Sequence, residues 1–208
     1  MNNVKVSMHV QGSENIKWAI VRVKKMNLGI AGDHCSGKDS AAKYLASKGF
    51  VHISLSDFLR VEAAKRGKEP VRQVLIDLGN ELRQSKGYGV LAQLATAQMK
   101  QGTRYVITSI MNPAEVDVLR KYGPFELIWL DAPLSVCWER MQATQRTHNM
   151  HTFEEYLRKR EEQRSASAHH QQMHLVEKAA DVRVASSDFN KMCRGLDSVC
   201  SNLKIMLR

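Results

Sequence analysis

Short hydrophobic runs alternate with longer segments of helical periodicity along the chain, and this pattern predicts an α/β protein. The short runs, which are typical of buried strands, lie at 27–31, 51–54, 104–108, 125–130 and 182–185. Turn and capping residues place helices at 38–48, 56–66, 71–84, 89–101, from Pro113, from Pro133, over 152–178 and from Asp188. Strands joined by such helices predict a parallel sheet with helices on both faces, which is a three-layer fold.

The first 25 residues have a different pattern. Apolar residues alternate with polar ones on both sides of a polar turn at 11–15, and this arrangement is typical of a β-hairpin. An extension that precedes the folded domain is the alternative, and the sequence leaves both open. In either case we expect one domain over residues 26–208.

Composition excludes several classes of protein. The 208 residues are 43% hydrophobic, but no apolar run approaches the ~20 residues of a membrane span, so no membrane segment is expected. The four cysteines form no C-x-x-C pair, which indicates neither a zinc site nor a disulfide framework. Free thiols and the lack of a signal-peptide pattern predict a cytoplasmic protein. The formal net charge of +10 suits any anionic partner and does not predict the oligomeric state.

The strongest chemical signal is the loop after the strand at 27–31. It reads Gly32-Asp-His-Cys-Ser-Gly-Lys-Asp-Ser40 and fits G-x-x-x-x-G-K. In such a loop the backbone N–H groups cradle phosphates, and the lysine reaches the β- and γ-phosphates. The strand before the loop and the helix after it provide the helix N-terminus that this chemistry uses. We therefore predict an ATP site formed by Gly32, Asp33, His34, Cys35, Ser36, Gly37, Lys38, Asp39 and Ser40.

The position after the lysine departs from the usual pattern. A Ser or Thr hydroxyl normally binds Mg²⁺ there, whereas this chain has Asp39 followed by Ser40. A carboxylate is also a good ligand for a hard cation. Asp39 could therefore bind Mg²⁺ directly or through water, or Ser40 could contact a phosphate while Asp39 caps the helix. Both remain candidate Mg²⁺ ligands.

A second pair of charged residues follows the strand at 51–54. Asp57 and Arg60 lie three residues apart at the start of a predicted helix, and ligands collect at the carboxyl ends of strands in an open α/β sheet. Asp57 could orient Mg²⁺ or an acceptor hydroxyl, and Arg60 could bind an acceptor phosphate. Equally, Asp57 could be an N-cap and Arg60 a solvated helix residue.

Larger parts of the sequence resemble one group of proteins. The phosphate loop with its S-G-K-D, together with Ser54-Leu-Ser-Asp-Phe-Leu-Arg60, is similar to P-loop nucleoside monophosphate kinases. The chain resembles their adenylate-kinase-like and dephospho-CoA-kinase-like members most. Further matching segments are 78–83, 89–92, 109–115, 130–133 and 153–156. The resemblance implies a P-loop kinase fold with a helical acceptor region at 56–101 and a lid at 140–165.

The resemblance also implies an activity, with ATP and Mg²⁺ as cofactors and a small-molecule nucleotide as acceptor. Kinases of this group hold the acceptor phosphate with arginines, for which Arg60 and Arg83 are the matching residues. Asp57 would assist catalysis together with Lys38 of the phosphate loop.

Lid arginines complete the site that the resemblance implies. Arg140 and Arg146 are the candidates, because they flank a polar segment and could neutralise charge on the transferring phosphoryl group. Three further arginines alternate with glutamates on the next helix, and for most of them we expect a solvated helix face. They are Arg158, Arg160 and Arg164.

Two departures from the family pattern bear on activity. The strand that ends at residue 109 lacks the Asp that helps to hold Mg²⁺, and Met111 stands where related sequences tend to have Arg. Phosphorylation of a nucleoside monophosphate is the first hypothesis, with dephospho-CoA kinase as the alternative in the same enzyme class. A catalytically weak nucleotide-binding regulatory protein is the alternative from another class. Nucleic-acid binding rests on net charge alone and is not expected.

Overall fold

A five-stranded parallel sheet forms the middle layer of the protein. The computed structural model describes residues 3–8, 17–22, 25–144, 150–164 and 171–205. The strands are β3 (Asn27–Gly32), β4 (Val51–Ser54), β5 (Tyr105–Thr108), β6 (Phe125–Asp131) and β7 (Val182–Ala185). Their order across the sheet is β4-β5-β3-β6-β7, and all neighbouring pairs are parallel. The predicted α/β fold is confirmed.

The central strand β3 places the phosphate loop. Its six residues are all buried, and it pairs with β5 on one side and with β6 on the other. The strand order changes direction at β3, and in open α/β sheets ligands bind in the crevice at such a point, beyond the carboxyl ends of the strands. The loop that follows Gly32 therefore begins at the position where a ligand is expected.

Helices cover both faces of this sheet. The described helices are α1 (Lys38–Ser47), α2 (Leu55–Lys65), α3 (Arg72–Lys86), α4 (Val90–Gln98), α5 (Pro113–Tyr122), α6 (Leu134–Ala143), α7 (Phe153–Arg164), α8 (Met173–Lys178) and α9 (Phe189–Asn202). Side chains of α2–α5 and α8 pack on one face, and those of α1 and α9 pack on the other. None of the described helices is both long and apolar enough to span a membrane.

The helix predicted over 152–178 is wrong in its extent. The structure has α7 ending at Arg164 and α8 beginning at Met173, with residues 165–170 outside the described ranges. Gln172 is not helical, because its backbone N–H donates to the carbonyl of Met111 at 2.8 Å. The chain before α8 is thus attached to the turn between β5 and α5, close to the predicted site.

The N-terminal segment contains a separate two-stranded sheet. Strands β1 (Asn3–Met8) and β2 (Lys17–Arg22) pair antiparallel, in a register that joins Asn3 to Arg22 and Met8 to Lys17. Residues 9–16 between them lie outside the described ranges. The division of the chain at residue 25 stays a prediction.

Candidate active site

The phosphate loop needs glycine at both of its ends. Gly32 and Gly37 have positive φ angles of 151° and 102°, which residues with a Cβ rarely adopt. A Cβ on Gly32 would also lie 2.5 Å from Ser36 Oγ and 2.8 Å from the carbonyl oxygen of Leu130. The chain therefore makes a tight turn out of β3 and enters α1 at Lys38, as phosphate-binding loops do.

Lys38 is the last residue of the G-x-x-x-x-G-K motif, and its side chain reaches back to the start of the phosphate loop. Its ammonium donates to the carbonyl oxygens of Gly32 (2.8 Å) and Asp33 (2.6 Å). Burial lowers the pKa of Lys38, although the carboxylates of Asp33 and Asp39 act in the opposite direction. Phosphate oxygens would stabilise this ammonium more than the neutral carbonyls do, because a hydrogen bond between two charged groups is stronger than one to a neutral acceptor.

Two buried donors beside the loop have no hydrogen-bond partner among the described residues. They are the hydroxyl of Ser36 and Nη1 of Arg140. Nη1 of Arg140 lies 3.8 Å from the position that a Cβ on Gly37 would occupy. Because buried polar groups are normally satisfied, these donors fit an anionic ligand at the loop, and the phosphates of ATP are such a ligand.

A cavity of about 690 Å³ opens from the loop toward α2 and α3. This volume is in the range of small-molecule sites. Lys38 and four arginines line it, whereas Asp39 is the single carboxylate among its described lining residues. The arginines come from α2, α3 and α6 and are Arg60, Arg72, Arg83 and Arg140. The charge of the cavity therefore favours a polyanionic ligand.

The metal candidates lie at the exposed start of α1. Asp39 and Ser40 both line the cavity beside Lys38. A carboxylate and a hydroxyl are oxygen donors of the kind that Mg²⁺ prefers, so these two residues fit the ion that ATP chemistry uses. Which of them would bind it stays a prediction.

Asp57 lines a neighbouring cavity rather than this one, and its role in catalysis stays a prediction. Its carboxylate is 66% exposed, accepts a hydrogen bond from Arg60 Nη1 at 2.7 Å, and lines a neighbouring cavity of about 560 Å³. Helix geometry explains the difference: Ser56 and Arg60 lie four residues apart on one face of α2, while Asp57 is rotated by about 100° from Ser56. Arg60 itself lines the main cavity, as expected.

Three serines cluster where β4 and β5 end. Ser54 Oγ lies 2.9 Å from Ser56 Oγ and 3.0 Å from Ser109 Oγ, and Arg60 Nη1 donates to Ser56 Oγ at 2.7 Å. Ser109 has a φ of +62°, which is unusual for a residue other than glycine. The end of β5 therefore carries serine hydroxyl groups. The Asp of the family pattern is absent there, as the sequence indicated.

Arg83 forms a buried ion pair that the sequence did not predict. Its Nη2 lies 2.9 Å from Glu115 Oε1, and the two side chains are 3% and 0% exposed. The other carboxylate oxygen of Glu115 accepts the backbone N–H groups of Met111 (2.8 Å) and Asn112 (3.1 Å). The pair therefore fixes the turn after β5 to α3. A contact between Arg83 and the acceptor stays a prediction.

The lid arginines lie in different situations. Arg140 on α6 donates through Nη2 to the carbonyls of Ser186 (2.8 Å) and Ser187 (2.9 Å), which leaves Nη1 beside the phosphate loop. Arg146 lies outside the described residues, and its role stays a prediction.

Helix α7 contacts the phosphate loop directly. Arg160 Nε donates to Asp33 Oδ1 at 2.9 Å, and the Tyr156 hydroxyl donates to the carbonyl of His34 at 3.3 Å. Arg164 pairs with Glu177 at 2.7 Å. The expected solvated face is therefore correct for Arg158, which is exposed, but wrong for Arg160 and Arg164. The alternation with glutamates did not reveal these partners, because they lie on other elements.

Replacing Arg160 with glutamine should loosen α7. The variant loses a partly buried ion pair with Asp33, worth about 1 kcal/mol, so amide exchange in α7 should accelerate by about fivefold. Hydrogen–deuterium exchange measured over residues 153–164 checks this. Lys159→Gln is the matched control, since it removes an exposed pair with Glu162 within the same helix. Equal exchange rates in the two variants would contradict the docking role of Arg160.

Arg72 lines the cavity although no sequence motif pointed to it. It is the first residue of α3, and its Nη1 donates to Nδ1 of His34 in the phosphate loop at 3.2 Å. Burial lowers the pKa of its guanidinium. Only the tertiary fold brings these residues together, since they are 38 positions apart in the chain.

A family profile described as an AAA domain (AAA_18) matches residues 28–166, which is more than half of the chain. The chain belongs to this family. The AAA_18 match extends from β3 to just beyond α7 and so includes the phosphate loop, helices α2 to α4 and Arg160.

Relatives and solved structures place the chain further. A UPF0200 protein of Methanosarcina mazei is 32% identical over 139 residues, which are 65% of this chain and 74% of the relative. A UPF0200/UPF0201 protein of Archaeoglobus fulgidus is 27% identical over 180 residues, 83% of this AAA_18 chain but 55% of the relative. The chain thus spans about half the length of that second relative.

Shikimate kinase from Acinetobacter baumannii, solved in complex with shikimate, has the same fold. It matches 88% of this chain and 96% of its own length with a TM-score of 0.54 and 12% sequence identity. At this identity the likeness concerns the fold alone. The predicted P-loop kinase fold is confirmed.

Proposed function

We propose that the protein transfers the γ-phosphoryl group of ATP to a nucleoside monophosphate. One observation carries this proposal: a single cavity has the phosphate loop at one end and the arginine-rich, partly apolar wall of α2 and α3 at the other. A donor and an acceptor can therefore meet within it. Phosphoryl transfer depends mainly on positioning and on neutralising charge, and the cavity is equipped for both.

The donor end would work as follows. The backbone of residues 32–38 cradles the β- and γ-phosphates, and Lys38 exchanges its carbonyl partners for their oxygens. Arg140 Nη1 faces the loop without a described partner and would neutralise phosphate charge. Asp39 and Ser40 would hold Mg²⁺, which draws charge from the β- and γ-oxygens when it is bound.

The acceptor end suits a phosphate attached to an apolar group. Arg60 can offer its guanidinium to the acceptor phosphate. Aliphatic side chains from α2, α3 and α4 form the adjoining wall and can pack against a base. They are Leu59, Leu75, Ile76 and Leu91.

The chemistry of the attacking group also favours a nucleoside monophosphate over dephospho-CoA. A phosphate oxygen is already deprotonated near neutral pH, since the second pKa of a phosphomonoester is about 6, and needs no base to attack. A ribose hydroxyl must lose a proton to a base. Asp57, the candidate for that task, lines the neighbouring cavity instead.

A nucleotide-binding regulatory protein is the second candidate function. It is favoured by the hydroxyl groups that stand at the end of β5 in place of a carboxylate, and by Met111, which lines the cavity where related kinases tend to have Arg. Such a protein would bind Mg²⁺-ATP tightly without turning it over.

Incubation with γ-labelled ATP, Mg²⁺ and a panel of acceptors tests the proposal. The panel contains the ribo- and deoxyribonucleoside monophosphates and dephospho-CoA. We expect label on at least one monophosphate, no label on dephospho-CoA, and no transfer by Lys38→Ala. Tight ATP binding without transfer to any acceptor, also in Met111→Arg, would replace the kinase with the regulatory protein.

A further inference from the structure

Arg72 connects the acceptor region with the phosphate loop. It begins α3, lines the main cavity, and reaches His34 with its Nη1 at 3.2 Å. His34 belongs to the same loop that cradles the terminal phosphates in the proposed function. The guanidinium is therefore one side-chain contact away from the place where the γ-phosphate would lie.

Two of the other arginines of the cavity pair with carboxylates, whereas Arg140 donates, among the described residues, only to backbone carbonyls. Arg60 pairs with Asp57, and Arg83 pairs with Glu115. Arg72 forms no ion pair with a carboxylate of the described residues, and its hydrogen bond goes to a neutral imidazole nitrogen. The segments outside the description that adjoin the cavity in sequence, 145–149 and 165–170, contain no Asp or Glu.

An uncompensated cation in a partly buried position is unfavourable for the protein alone. Burial lowers the pKa of Arg72, and the groups that oppose this shift are a thiol and a phenol rather than a carboxylate. A guanidinium stays protonated even so, and removing a charge from water is unfavourable unless an opposite charge compensates for it. An anionic ligand beside Arg72 would therefore stabilise this charge.

We propose that Arg72 binds the γ-phosphoryl group of ATP and stays with it during transfer to the acceptor. His34 would hold the guanidinium until the ligand arrives. This inference rests on the proposed function and adds a cation from α3 to the one that Lys38 provides. A guanidinium suits this task, because it presents two parallel N–H groups to phosphate oxygens.

The reaction leaves Arg72 unchanged. An oxygen of the acceptor phosphate forms a bond to the γ-phosphorus, the bond from that phosphorus to the β–γ bridging oxygen breaks, and ADP leaves with the electron pair. No proton is transferred at Arg72. Its contribution is to stabilise the negative charge on the equatorial oxygens of the group in transit.

Binding measurements test this inference without turnover. Calorimetric titrations of Arg72→Gln with the Mg²⁺ complexes of ADP and of a non-hydrolysable ATP analogue should show about a tenfold loss of affinity for the ATP analogue. Affinity for ADP should be unchanged, because ADP lacks the γ-phosphoryl group. Arg66→Gln is the matched control, since Arg66 is a surface residue that pairs with Glu62 and Glu81. Equal affinities of Arg72→Gln and wild type for the ATP analogue would overturn the inference, as would an equal loss for both nucleotides.

Thermal unfolding separates ligand binding from a structural role. Because Arg72 lacks a carboxylate partner among the described residues, Arg72→Gln should unfold at the same temperature as wild type or higher, and Arg72→Lys should recover part of the analogue affinity. A lower unfolding temperature together with a loss of ADP binding would mark Arg72 as structural. If wild type transfers no phosphate but Arg72→Gln still loses affinity for the ATP analogue alone, the proposed function fails and the Arg72 site stands.

Discussion

Lys38→Ala should abolish measurable phosphoryl transfer and weaken the binding of Mg²⁺-ATP. The ammonium lies at the centre of the loop, on the carbonyls of Gly32 and Asp33, where no other lysine can replace it among the cavity-lining residues described. Removing one preorganised donor from a charge-stabilising site typically lowers kcat by about 10²–10³. Initial rates with labelled ATP and a calorimetric titration measure the two effects.

Lys43→Ala is the control for this variant. Lys43 lies in α1 like Lys38 but is exposed to solvent. The Lys43→Ala variant loses the same charge from the same helix and should keep both the ATP affinity and the rate of phosphoryl transfer. If the two variants behaved alike, long-range charge rather than contact with phosphate would explain the effect, and the site would be misplaced.

Glu115→Gln should lower the stability of the fold more than any surface substitution. The change leaves the Arg83 guanidinium buried without an opposite charge, which costs about 3–5 kcal/mol. For a chain of this size the unfolding temperature should fall by about 6–20 °C. Glutamine can keep its carbonyl oxygen on the N–H groups of Met111 and Asn112, but its NH2 group then faces the N–H donors of Arg83, so the effect combines the lost charge with the lost hydrogen bonds. Thermal unfolding followed by circular dichroism measures it.

Two further variants check the cause. Glu62→Gln breaks a surface pair with Arg66 and should cost far less stability than Glu115→Gln, because water screens such pairs. Adding Arg83→Met to Glu115→Gln should recover part of the lost stability, because the uncompensated charge is removed. Equal small losses for Glu62→Gln and Glu115→Gln would show that the buried pair does not fix the turn after β5.

The sequence predicted the features that local chemistry determines. The phosphate loop is one continuous segment, and its glycines and lysine form a motif that the sequence shows directly. The predicted strand before it and the predicted helix after it support this interpretation. The strand ends near Ser54 and Ser109 followed from hydrophobic runs in the same way. These local signals sufficed for the fold and for the position of the phosphate loop at the end of β3.

The wall that α2 and α3 contribute to the cavity depends on contacts that sequence spacing does not contain. The sequence spacing placed Asp57 and Arg60 at one site. Neighbouring side chains on a helix differ in direction by about 100°, and Asp57 lines another cavity than Arg60. Arg83 found a partner 32 residues away, and Arg72 reached a histidine 38 residues away. Helix periodicity predicts on which face of a helix a residue lies. Which residues that face contacts depends on how the helices pack, as the contacts of α3 with His34 and Glu115 show.

A crystal structure with Mg²⁺ and a non-hydrolysable ATP analogue tests the central claim most directly. The account predicts the β- and γ-phosphates inside the loop over 32–40, with Lys38 Nζ moved from the carbonyls of Gly32 and Asp33 onto phosphate oxygens. It also predicts the γ-phosphate directed toward Arg72 and Arg60. A nucleotide bound elsewhere, or a loop in which Lys38 still contacts both carbonyls, would contradict it.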